Sequence, residues 1–205
     1  MDDGGAVRPR PRDRIVGTAR DLFRRHGIRG VGVDAIADAA GSNKMTLYRH
    51  FGSKDDLVVA CLKDVACDAD ALWARLEADN PDDPMGRLQG WLRAGALCAG
   101  DDGRGCDMVN AAVELAEHNH PARAVIESFK TRQRDRLAQL CRDAGAREPD
   151  LLADTLTLLL EGARVNRQSV GAEGSCARFI RMGEAIVASF MKDVSPAKSE
   201  TEQVA

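Results

Sequence analysis

Aromatic residues are scarce in this chain: five Phe, two Trp and one Tyr in 205 residues. That scarcity, with Ala, Leu, Asp and Arg in abundance, favours helices over sheets. The six cysteines (Cys61, Cys67, Cys98, Cys106, Cys141 and Cys176) form no C-x-x-C pair. Reduced thiols in an intracellular, cytoplasmic protein are therefore expected. No apolar run approaches the ~18 residues a membrane span needs, and no apolar signal segment opens the chain, so no membrane partner is expected. A nucleophile elbow and an H-E-x-x-H pair are also missing. The glycine-rich stretch from Ala99 to Gly105 lacks the Gly-Lys-Ser/Thr ending of a phosphate loop and follows no strand, so it reads as a turn. The acidic pairs Asp55-Asp56 and Asp82-Asp83 fall at helix starts or turns, where the helix dipole accounts for them. No enzyme, catalytic residue or cofactor is predicted.

One row of possible metal ligands stands out, Cys106, Asn110, Glu114 and His118, spaced every four residues. Its ends lie about 18 Å apart along a helix, so one ion cannot hold both Cys106 and His118. No metal site is assigned.

What the chain does have is a charge asymmetry. Residues 1–54 hold 11 Lys and Arg against 6 Asp and Glu, whereas the remainder holds 18 against 26. A basic head on an acidic body points to a DNA-binding end. Within that head, Val33, Ile36, Ala37 and Ala40 fall on one helix face. Gly41 is expected to end that helix and Ser42 to cap the next. In the second helix Leu47 and Phe51 face inward. Asn43, Lys44, Thr46, Arg49 and His50 are left outside, with Tyr48 at the edge. A short helix with donors and positive charge outward suits a groove of DNA.

The residues Ile36-Ala37, Ala40-Gly41, Thr46-Leu47-Tyr48, His50-Phe51 and Ser53-Lys54 resemble the tetracycline-repressor (TetR) family of bacterial transcription regulators. The resemblance covers roughly residues 12–60. It implies an all-α fold of about nine helices. An N-terminal three-helix, helix-turn-helix DNA-binding domain (residues 1–54, arm included) would precede a helical ligand-binding and dimerisation domain (55–194) and a disordered tail (195–205). It also implies phosphate contacts from Tyr48, Thr46 and Lys54. Lys44, Arg49 and Asn43 are the expected base readers, and His50 suits either role. One departure is Gly32, where the family usually has Thr. Gly offers no hydroxyl, so that phosphate contact is expected to be lost or taken by backbone N–H groups. The arm through Arg8-Pro9-Arg10-Pro11-Arg12 is basic and stiffened by proline, and reads as a further phosphate or minor-groove contact.

Later helices are expected from Pro11 to His26, from Ser53-Lys54 to about Ala78, over Pro84–Cys98, over Cys106–Glu117, from Pro121 to about Ala144, from Pro149 to the break at Gly171–Gly174, and over Ser175–Lys192. Ser53 and Asp56 have capping-box spacing. In the family a long fourth helix links head to body. The resemblance also implies a ligand pocket among the fifth to eighth helices. Its candidates are Trp91, Met108 and Phe129 by apolarity, and Asn110, Glu114, His118 and Asn166 as polar groups. Asn166 is singled out because a buried polar group needs a partner. The last two helices are expected to form the homodimer surface, through Leu152, Leu156, Leu159, Phe179, Met182, Ile186 and Phe190.

The implied function is a dimeric repressor. A small-molecule effector would release it from a pseudo-palindromic operator in double-stranded DNA. The competing expectation is a helical ligand-binding, thiol-responsive or metal-responsive protein with altered DNA binding, prompted by Gly32 and by Cys106.

Overall fold

The computed structural model describes residues 10–98, 105–115, 117, 119–170 and 175–191. Among these the fold is all-α. Its helices are α1 (Pro11–His26), α2 (Val33–Ala39), α3 (Lys44–Phe51), α4 (Lys54–Asp79), α5 (Pro84–Cys98), α6 (Asp107–Glu114), α7 (Ala122–Asp143), α8 (Pro149–Val170) and α9 (Ser175–Phe190). The basic segment before Arg10, the glycine-rich stretch at 99–104, the break at 171–174 and the tail lie outside the described residues.

Three apolar clusters organise the helices. The first joins Ile15, Val16 and Ala19 of α1 to Ile36, Ala37, Leu47 and Phe51, and closes on Leu57 and Cys61 of α4. The second sets Ile28, Val58 and Leu62 against Met108, Ala111 and Leu115, with Ala122 and Ile126 of α7. The third is the largest, with α5, α7, α8 and α9 packed around Leu88, Leu92, Leu137, Leu152, Leu156 and Phe179. α4 contributes to all three, through Leu57, Val58 and Leu76 respectively. At 26 residues it is about 39 Å long by its rise per residue. It is therefore the strut common to the N-terminal helices and the C-terminal bundle.

The turn between α2 and α3 depends on Gly41, whose φ of 57° is left-handed and cheap only for glycine. In the bundle, α9 lies so close to α5 that a Cβ on Gly183 would sit 2.6 Å from Leu92 Cδ2.

Several local expectations need correction. Asn43, not Ser42, caps α3: its Oδ1 accepts the Thr46 N–H at 2.8 Å. Ser42 instead uses its backbone N–H on the Ala37 carbonyl. At α4, Ser53 Oγ accepts the Asp56 N–H at 3.0 Å, and its hydroxyl donates to Asp56 Oδ2 at 2.6 Å. The shorter Asp side chain thus reaches the cap hydroxyl rather than the backbone N–H that a Glu would take. α6 is shorter than expected, because Leu115 leaves helical geometry (φ −100°, ψ 61°) to bury its side chain in the second cluster. α9 ends at Phe190, and Met191 pairs with Ala146 in an isolated antiparallel bridge.

The residues expected at the dimer surface divide. Leu152, Leu156 and Phe179 are buried inside this chain, in the third cluster, and Leu159, Ile186 and Phe190 pack against that cluster. Met182 alone of the seven is exposed. The outward apolar residues of α8 are Leu151, Leu158 and Val165, which share a face with Thr155 and Gly162 at helical spacing.

Candidate nucleic-acid interface

α3 has two faces with different work. Leu47 and Phe51 are buried against α1 and α2. Lys44, Met45, Tyr48, Arg49 and His50 are exposed, and Thr46 is half-buried. The seven DNA-contact candidates therefore gather at α3 and the start of α4, but the structure shows prior engagements for several. Asn43 spends its carbonyl oxygen on the cap. One lone pair of that oxygen and the NH₂ group remain for a base. Lys44 Nζ pairs with Asp34 Oδ2 at 3.1 Å, and the hydrogen bond to that carboxylate raises the ammonium's pKa. Lys54 Nζ donates to the Ile28 carbonyl at 2.6 Å. The Arg49 guanidinium makes no hydrogen bond or ion pair among the described residues. Gly32 caps α2 with extended backbone and no side-chain bond.

Two residues that the sequence reading assigned to the arm, or did not assign at all, hold this unit together from α1. Arg14 Nε donates to the Ala40 carbonyl at 3.1 Å and a terminal nitrogen to Gly41 O at 3.4 Å, fixing the α2–α3 turn. The Arg12 guanidinium lies 5.4 Å from the centre of the Phe51 ring, within cation–π range. Spacing alone could not have separated these arginines from DNA-facing ones, because their partners are a ring and two carbonyls 26 or more residues away.

α6 is tied to the N-terminal helices by charge. Arg24 donates to both oxygens of Asp107, at 3.1 and 2.9 Å. Glu114 Oε2 accepts the Arg29 backbone N–H at 3.1 Å, and the Arg29 guanidinium pairs with Glu117 at 3.2 Å. Arg20 binds Asp64, and Asp68 at 2.7 Å, locking α1 to α4. The His120 imidazole, 7% exposed, accepts the Ala122 N–H on Nδ1 at 3.1 Å. Its proton therefore sits on Nε2, which faces Asp55 Oδ1 at 3.4 Å.

The ligand candidates are not brought to one cavity. Trp91 is buried in the third cluster, 6.4 Å from the Phe179 ring. Met108 is buried in the second cluster and Phe129 packs on it. Asn166 is exposed, which corrects the expectation that it marks a buried pocket: α8 turns it outward near its C-terminal end. His118 lies outside the described residues. Asn110 and Glu114 do converge, beside Phe23, Arg24 and Arg25, on a cleft of about 620 Å³. Glu161, Arg164, Val165 and Gln168 of α8 close its other side, so the cleft lies between α1, α6 and α8.

Among the described residues no group of three or more His, Cys, Asp or Glu side chains could hold a metal ion. None of the described helices is long and apolar enough to cross a membrane. Burial pushes the Cys61 and Cys141 thiols up to about 12, so both are protonated at neutral pH and poor nucleophiles.

Residues 15–61 match the family described as bacterial regulatory proteins, tetR family. The HTH-type transcriptional repressor KstR2 of Mycobacterium tuberculosis is 36% identical over 85 residues, 40% of this chain and 41% of that protein. The HTH-type transcriptional regulatory protein RaaS of the same organism is 50% identical over 48 residues, 23% of this chain and 22% of that one. The chain thus aligns with about two fifths or less of the length of these curated relatives. Likeness to solved structures extends further. SCO4454, a TetR-family transcriptional regulator from Streptomyces coelicolor, superposes with a TM-score of 0.83 at 26% identity, over 89% of this chain and 96% of that one. A tetR-type transcriptional regulator (sav143) from Streptomyces avermitilis does so with a TM-score of 0.74 at 30% identity, over 89% and 98%.

Proposed function

The chain belongs to the tetR family of bacterial regulatory proteins, and from that premise we propose that it is a dimeric, effector-released transcriptional repressor. The observation that carries this reading is the outward face of α3, where Tyr48, Arg49 and His50 stand exposed opposite the buried Leu47 and Phe51. Arg49 is the leading base reader, by donation to guanine O6 and N7. Tyr48 and Thr46 hold the backbone in register through phosphate contacts. Lys44 and Lys54 join them by exchanging Asp34 and the Ile28 carbonyl for phosphate. Asn43 acts chiefly by keeping the first turn of α3 in shape.

Residues 1–54 form the reading head and 55–194 the body, with α4 as the strut between them. A second copy covers Leu151 and Leu158 of the outward stripe of α8 and Met182 of α9. Twofold symmetry then places the two α3 helices on half-sites of a pseudo-palindrome, about 34 Å or a multiple apart. The effector acts beside α6, whose Asp107 and Glu114 hold the C-terminal end of α1 and the loop after it. Asn110, Glu114 and Arg24 line the cleft there, so a bound molecule that draws Arg24 from Asp107 changes how the head sits on the body. Operator and effector then favour opposite states and oppose one another by linkage.

Capture of genomic fragments by the purified protein, followed by footprinting at ~150 mM salt, tests the reading, since phosphate contacts make affinity salt-dependent. A protected pseudo-palindrome that Arg49→Ala no longer protects is expected. Weak binding that is equal on every sequence would sink specific readout through α3.

A further inference from the structure

Met45 is 85% exposed, more than any other large apolar side chain among the described residues. It lies in the first turn of α3, with Tyr48 three and Arg49 four residues on, so all three share one face. The exposed apolar residues of α8 fall on one stripe, which suits a second copy of the chain. Met45 stands apart from any such stripe, among polar neighbours. Those neighbours at the same end of the helix are engaged: Asn43 in the cap and Lys44 with Asp34. What the N-terminal end of α3 holds out is therefore a flexible thioether.

The N-terminal residues of a groove-reading helix lie nearest the base edges. In the major groove the apolar group on offer is the C5-methyl of thymine. An unbranched, polarisable side chain adapts to such a contact. We propose that Met45 is a specificity-determining residue that packs on the C5-methyl of one thymine in each half-site. The proposal rests on the reading of α3 as the DNA-reading helix.

The test replaces each thymine of the captured site with deoxyuridine, one symmetric pair at a time. This removes the methyl and leaves the pairing edge intact. At one position the wild-type protein is expected to lose about fourfold in affinity per half-site, about fifteenfold for both, the worth of one buried methyl-sized group. Met45→Ala should bind the unmodified site more weakly by a similar factor and be indifferent to deoxyuridine there. Met45→Leu should keep the sensitivity. The salt slope should be the same for all three proteins, because phosphate contacts are untouched. The exposed position leaves the fold of the variants intact, which their helical circular dichroism checks. Full methyl sensitivity in Met45→Ala, or wild-type tolerance of every deoxyuridine, would overturn the proposal while leaving DNA binding standing. Failure to protect any duplex would overturn the DNA reading and this proposal with it.

Discussion

α2–α3 and α8–α9 are both helix pairs, yet they bury apolar residues in different ways. α2 and α3, seven and eight residues long, bury two side chains each: Ile36 and Ala37, then Leu47 and Phe51. With so few anchors, the inward pair of each helix follows from the period, and the remainder, Met45 included, forms the outer face. α8 and α9 run 22 and 16 residues and are apolar on more than one side. On α8, Leu152, Leu156 and Leu160 turn inward while Leu151, Leu158 and Val165 turn outward. A short amphipathic helix declares its inward pair, whereas a long leucine-rich helix divides its apolar residues between its own core and its outer face.

The sharpest test of that division sets two faces of one turn of α8 against each other. Leu156→Ala removes a side chain buried in the third cluster and is expected to cost about 2–5 kcal/mol in urea denaturation, with the dimer retained. Leu158→Glu changes a side chain 73% exposed. It should leave helical content unchanged and move the mass in sedimentation to that of one chain. Its Tm should then no longer depend on protein concentration. If both variants behaved alike, the inward and outward faces would be misassigned.

The same contrast explains which parts of the site could be read in advance. The order of helices, the break at Gly41 and the inward pair Leu47 and Phe51 followed from period and glycine placement, which depend on neighbours within a few residues. Leu152, Leu156 and Phe179, expected at a dimer surface, are buried within the chain, because period identifies an apolar face but not its occupant. Asn166 reads as buried because it follows a leucine-rich run, whereas the last turns of α8 carry no leucine and leave it exposed. The engagements of Lys44, Lys54, Arg12 and Arg14 were hidden for another reason. Their partners (Asp34, Ile28, Phe51 and Ala40) are neighbours only after α1, α2 and α3 have packed.

Smaller effects probe how the two regions are joined and capped. Asp107→Asn leaves Arg24 with a neutral partner at a seam where their side chains are 17% and 32% exposed. A loss of about 1.5–2 kcal/mol is expected, the lower part of the range for hydrogen bonds to charged groups. Operator affinity should change with it if α6 governs the head, and should stay constant if the seam only adds stability. Asn43→Ala should cost about 1 kcal/mol, the usual worth of an N-cap, while Ser42→Ala changes stability by a few tenths at most. Equal losses at 42 and 43 would contradict the cap geometry.

The smallest expected effect belongs to the surface of the bundle, where Arg134 of α7 grips Asp154 of α8. Its Nε and a terminal nitrogen reach the two carboxylate oxygens at 2.7 and 3.0 Å, and a third nitrogen reaches Asp150 at 2.7 Å. The hydrogen bonds from Arg134 hold the Asp154 carboxyl below its usual pKa. Because the folded value is depressed, the pair adds stability fully above the unfolded pKa of about 3.9 and loses it as pH falls through the lowered value. Thermal melts of wild type and Asp154→Asn should therefore differ by a constant small amount from neutral pH to about pH 5, and converge below it. Added salt at neutral pH should narrow the same gap, since both groups are solvent-exposed and screened. A gap that widened on acidification would mean that Asp154 is not held by Arg134 in solution. The α7–α8 contact would then rest on the apolar cluster beneath it and on the Lys130–Glu161 and Arg142–Asp150 pairs.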